Sequence, residues 1–123
     1  MIARLSLLFT VVCAATPLWS ADFSAADLEF FEKRIRPVLA EHCYKCHSAK
    51  SKKLKGKLRL DYRAGAIKGG ETGPAVVPGK PGESLLVESI LYQNEDLEMP
   101  PKKRLSDSQV TDLTEWVKRG APW

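Results

Sequence analysis

Residues able to hold a metal are scarce in this chain: its 123 positions carry three cysteines, two histidines and two methionines. That scarcity excludes several chemistries. Structural zinc takes four ligands, usually as two separated pairs. Beside Cys43 and Cys46 there is no second Cys or His pair, and His42, adjacent to Cys43, is poorly placed to complete a tetrahedron. Nothing around Cys43 reads as the strand-helix-strand setting of a thioredoxin-like redox pair. A disulfide closing so small a loop would stabilise little. Long apolar runs are lacking too, since residues 5–18 fall short of the roughly 20 residues that span a bilayer. No internal repeat is visible, and no nucleic-acid recognition module accompanies the basic residues. What is present is globular: 44% hydrophobic and 28% charged residues, with eight Gly and eight Pro. The length suits one domain, of a size often reinforced by a cofactor.

Residues 1–21 have the form of an export signal, with Arg4 as the sole charge, the apolar run 5–18, and the small residues Ser20 and Ala21. Cleavage after Ala21 and after Ser20 are comparable, because Trp19 fits badly three positions before the first. An uncleaved anchor is the competing reading, opposed by the shortness of the run and by Pro17. Cys13 has no lipoprotein context and is expected to leave with the segment. The remaining domain, 22–123, keeps 18 basic and 15 acidic side chains, Cys43, Cys46, both histidines and a single methionine, Met99. An exported location, in the periplasm or an equivalent compartment, is the expectation.

The domain reads as helical. Ser24 is a helix N-cap with Asp27 as a capping-box-like partner, and Leu28, Phe31, Ile35, Val38 and Leu39 recur at helical spacing. Pro37 should end or kink that helix near Arg36, or open a second helix running to Cys46. Residues 48–59 read as a basic solvent-facing loop. Leu58, Leu60 and Tyr62 allow a brief extended segment, or Asp61 caps a short helix over 62–68. Gly69-Gly70 stops it, and 71–82 is a Gly- and Pro-rich loop. A helix is expected over 83–92, and a last one after the capping box Ser106/Gln109, with Val110, Leu113, Trp116 and Val117 on one face. Gly120 and Pro122 end it. The expected fold is all-α, four to five short helices with long loops wrapped around one cofactor.

Cys43-Tyr44-Lys45-Cys46-His47 carries the chemistry. Two thiols three residues apart on a helical turn can reach the two vinyl groups of one haem, and the histidine that follows points at the iron; the pentad reads as c-type haem attachment. Met99 lies 52 residues after His47 in a Met-Pro-Pro loop. Its prolines pin the backbone, and a thioether is a known axial ligand of haem iron. The bland alternative is a gap-filling core methionine. His42 is too near the attachment site to reach the opposite face of the ring.

These residues resemble the planctomycete-type cytochrome c domain, within the broader monohaem cytochrome c fold. The likeness runs from about Phe30 to Trp123. It rests on Phe31-x3-Ile35-Arg36-Pro37-Val38-Leu39, the Cys43-to-His47 pentad, Leu58-Arg59-Leu60-Asp61, Gly69-Gly70-Glu71-x-Gly73-Pro74, Val77-Pro78-Gly79, Met99-Pro100-Pro101 and Trp116-x3-Gly120-Ala121. The resemblance implies a small cytochrome c-like fold whose first and last helices cross beside the haem, with His47/Met99 axial ligation. It also implies that the Pro74 carbonyl accepts the second N–H of His47, although Gly73-Pro74 can equally be a plain turn. Such domains often head longer proteins, so a free-standing carrier and a relative acting with separate partner domains both stay open.

A haem with two protein ligands has no open position for substrate, so one-electron transfer is the expected function rather than catalysis. An enzyme or gas sensor with open iron is the alternative, against which no distal histidine-arginine pair is visible. A haem-bearing interaction module of a larger complex is a third. The basic run from Lys45 to Lys68, opposed only by Asp61, is a candidate docking surface for an acidic redox partner, or simply a solubilising loop.

Overall fold

The computed structural model describes residues 22–123; the expected export signal lies outside the described residues. The architecture is all-α, as expected, with α1 (Ala25–Phe30), α2 (Arg36–His42), α3 (Arg63–Lys68), α4 (Leu85–Ile90) and α5 (Asp107–Lys118). Among the described residues there is no strand, only an isolated bridge between Gly70 and Gly73.

Ser24 caps α1 as expected, its hydroxyl oxygen accepting from the Asp27 N–H at 3.1 Å. The effect of Pro37 differs from a simple stop. Between α1 and α2 the chain widens into a π-helical turn, Phe31–Ile35, in which the Arg36 N–H bonds the Phe31 carbonyl five residues back. Proline offers no N–H to the carbonyl four residues behind it, and a π turn takes up the resulting shift in register. Pro37 then opens α2 in its first turn. This second helix ends at His42 rather than at Cys46.

α5 carries the expected capping box between Ser106 and Gln109. Val110, Leu113, Trp116 and Val117 are buried along one face, with Trp116 and Phe31 virtually inaccessible. The N-terminal helical segment packs against α5 through these two rings, whose centroids lie 6.0 Å apart and which Trp123 approaches from the chain end. Such aromatic pairs contribute about 0.5–1.5 kcal/mol beyond their burial. The end of the chain is closed by Arg63, which donates to the carbonyls of Ala121 and Gly120 at 2.9 and 3.0 Å, and by Trp116 Nε1, which donates to the Pro122 carbonyl at 2.7 Å.

Between these ends lie α3, α4 and the loops. The helical reading of 62–68 holds, but Tyr62, not Asp61, stands at the N-cap of α3. α4 begins two residues later than the pattern suggested. The buried Ser84 hydroxyl closes the preceding loop by donating to the Lys80 carbonyl and accepting from the Val77 N–H, both at 2.9 Å. Leu86, Val87 and Ile90 face inward.

Candidate functional site

The Cys43-to-His47 pentad sits on a turn just past α2, not on a helix. The N–H groups of Cys46 and His47 both donate to the Cys43 carbonyl, at 3.2 and 3.0 Å. This turn keeps the two cysteines on one side of the chain, as a helical turn would. The following loop folds back over it: Lys55 N–H donates to the Cys46 carbonyl at 3.1 Å, and Leu60 N–H to the His47 carbonyl at 2.8 Å. Ser48 and Ser51 hydroxyls add bonds to the Tyr44 carbonyl. The histidine backbone is therefore held from both sides.

Cys43, Cys46 and His47 line one cavity of about 320 Å³, and Met99 lines it too. Much of the remaining wall is aliphatic, including Leu58, Leu60, Leu86, Ile90 and Leu105. A long loop excursion thus brings Met99 to the pentad's cavity. Its N–H donates to the Ser89 carbonyl at 3.1 Å, and the side chain is 42% exposed. His42 also lines the cavity, at its edge.

Both cysteines are free thiols. Burial, with Cys46 nearby, pushes the Cys43 thiol up to about 12. Burial lowers the His47 pKa, partly opposed by the nearby carbonyls of Leu58 and Lys55. A lowered value keeps the imidazole neutral, the form that binds a metal.

Pro74 is exposed, between Gly73 and Ala75, which both line the cavity, and its carbonyl accepts from the Leu85 N–H at 3.4 Å. His47 Nδ1 is buried without a hydrogen-bond partner. The N–H groups of the folded-back loop reach the Cys46 and His47 carbonyls, backbone bonds that sequence reasoning missed. A backbone acceptor leaves no side-chain signature; the only hint was that the loop after the pentad is too long to be idle.

The donor set fits a haem: two thiols three residues apart, a neutral imidazole next to them and a thioether share one largely apolar cavity. Among the described residues no group of three or more His, Cys, Asp or Glu could hold a bare metal ion.

Residues 43–103 match the family model described as Planctomycete cytochrome C. Over this stretch the chain belongs to the planctomycete cytochrome C family. No curated protein and no solved structure matches the chain. Family membership implies haem as the cofactor. The matched stretch covers the pentad, α3, α4 and the Met99 loop. The packing of α1, α2 and α5 around it is supplied by the structure.

Proposed function

We propose that this planctomycete cytochrome C domain is an exported one-electron carrier, with a single haem bonded through Cys43 and Cys46 and held axially by His47 and Met99. The observation that carries the reading is that these four side chains line one cavity. When bound, haem supplies one-electron exchange at its ring edge. The chain's own residues do the rest. Cys43 and Cys46 anchor, His47 presents a neutral imidazole on a clamped backbone, and the aliphatic walls exclude water. Excluding water and ligating through a thioether both raise the reduction potential. No helix among the described residues is long and apolar enough to cross a membrane, and cytochrome c domains are typically extracytoplasmic. The partner we propose is a redox protein with an acidic docking face.

The test is the visible spectrum of the protein produced with haem-attachment machinery. A low-spin reduced c-type spectrum, with the weak far-red band of methionine–iron bonding that disappears in Met99→Ala, is the expected result. A high-spin spectrum unchanged by Met99→Ala would replace the carrier with a haem enzyme or sensor. Absence of covalent haem would sink the reading altogether.

A further inference from the structure

We infer that the two propionate groups of the haem rest at the seam between the 55–57 and 70–73 loops, received by the Lys55 ammonium and by the N–H and hydroxyl of Thr72. This rests on the haem reading above and names the edge of the cavity that faces the cofactor's carboxylates. Haem is an apolar disc with its vinyl groups on two adjacent pyrroles and its propionates on the other two. Bonding the vinyl half to Cys43 and Cys46 turns the propionates away from that turn. A carboxylate set against aliphatic wall without a partner is costly, so the propionates need donors and access to water.

Donors are few on this wall. Lys55 is its only Lys or Arg; Lys50, Lys52 and Lys53 of the same loop do not line the cavity. Lys55 is exposed and makes no ion pair among the described residues. Thr72 is exposed too, and its N–H and hydroxyl bond nothing among the described residues. The other polar positions fit worse. The Ser89 hydroxyl is committed to the Leu86 carbonyl at 2.8 Å, Asp96 is itself a carboxylate, and His42 directly precedes Cys43, on the thiol side.

The seam is also where the wall is barest. Gly56, Gly70 and Gly73 present backbone to the cavity rather than side chains. The Glu71 N–H donates to the Gly56 carbonyl at 2.9 Å, an approach that a Cβ at Gly70, 2.1 Å from that oxygen, would obstruct. The Glu71 carboxylate, a like charge at this edge, lies 3.6 Å from Lys57, which offsets it and leaves Lys55 for the propionates. Bonds from an ammonium or a backbone N–H to a carboxylate are charge-assisted, roughly twice as strong as neutral ones.

The test uses the haem-loaded full chain. In the reduced wild type, NMR contacts from the propionate methylene protons to the N–H groups of Gly56 and Thr72 are expected. Midpoint potential is then followed against pH in the wild type, Lys55→Gln and the control Lys53→Gln. Removing the ammonium should move the propionate inflection up by about one pH unit, since an opposite charge nearby favours the ionised form. Lys53→Gln should superimpose on the wild type. Propionate contacts at His42, Asp96 or 102–104 instead, or equal inflections in the two variants, would overturn the inference. A high-spin spectrum unchanged by Met99→Ala would remove the carrier reading alone and leave the propionate contacts to be read as before. A wild type without covalent haem would remove both.

Discussion

The hydroxyl of Tyr92 donates a hydrogen bond to the carbonyl of Pro100, which ties the Met99 loop back to the end of α4. From the other side, the Met99 N–H donates to the Ser89 carbonyl at 3.1 Å. Tyr92 has φ +56, an uncommon conformation for a bulky side chain. Met99 is thus flanked by two ties to the α4 region, one at its own N–H and one at the next carbonyl.

Tyr92→Phe keeps the ring and removes the tie. The expected stability loss is about 1 kcal/mol, the usual net worth of one such bond. In the haem-loaded protein added imidazole should displace Met99 about fivefold more easily, the same free energy expressed as an equilibrium. Titration of the far-red methionine–iron band with imidazole measures this. An unchanged midpoint would mean that Ser89 and the prolines suffice to hold the loop.

Asp61 gives an acid-side prediction. Its carboxylate accepts two hydrogen bonds from Arg59, at 2.6 and 2.9 Å, and one from the Ala49 N–H at 3.1 Å. The Arg59 bonds, ahead of the burial that opposes them, bring its pKa to about 2 from an ordinary 3.8. The folded value lies below the unfolded one. The stabilisation is therefore complete above the unfolded value and lost as pH falls through the folded one. With both side chains partly exposed, it should amount to about 1 kcal/mol. Denaturant titrations across the acid range should show this loss in the wild type and a flatter profile in Asp61→Asn. Parallel profiles would show that the carboxylate's pKa is the same in both states.

Gly70 makes a packing prediction. A Cβ there would stand 2.1 Å from the Gly56 carbonyl oxygen, which already accepts from the Glu71 N–H at 2.9 Å. Gly56 and Gly70 both line the cavity. Gly70→Ala should cost about 1–3 kcal/mol, as overpacking does, and lower the yield of haem-loaded protein. Gly82→Ala, whose Cβ meets nothing within 4 Å, is the control. Equal melting temperatures for the two variants would show that the 56–70 approach is loose enough to absorb a methyl group.

The places where sequence and structure part share a cause. Periodicity and capping residues placed α5 and its buried face correctly, because a helix cap and an apolar stripe are both written within a few neighbouring residues. The same local rules carried α2 too far, to Cys46. They could not register that the loop at 55–60 takes the carbonyls of Cys46 and His47 as partners. The resemblance pointed to Pro74 as the residue orienting His47; in the structure the Pro74 carbonyl accepts from the Leu85 N–H, and His47 Nδ1 is buried without a partner.

By itself the sequence determined the chemistry on offer: two thiols and an imidazole at fixed spacing, one thioether, and the capped amphipathic helices that bury Phe31 and Trp116. These follow from short-range geometry, in which residues three or four apart meet whatever the rest of the chain does. Tertiary structure decided what that chemistry faces. It brought Met99 from 52 residues away to the wall of the His47 cavity and folded the loop at 55–60 back onto the carbonyls of Cys46 and His47. Such meetings depend on loop closure and on backbone hydrogen bonds between distant segments, which any residue's N–H and C=O can make and which side-chain identity therefore leaves unspecified.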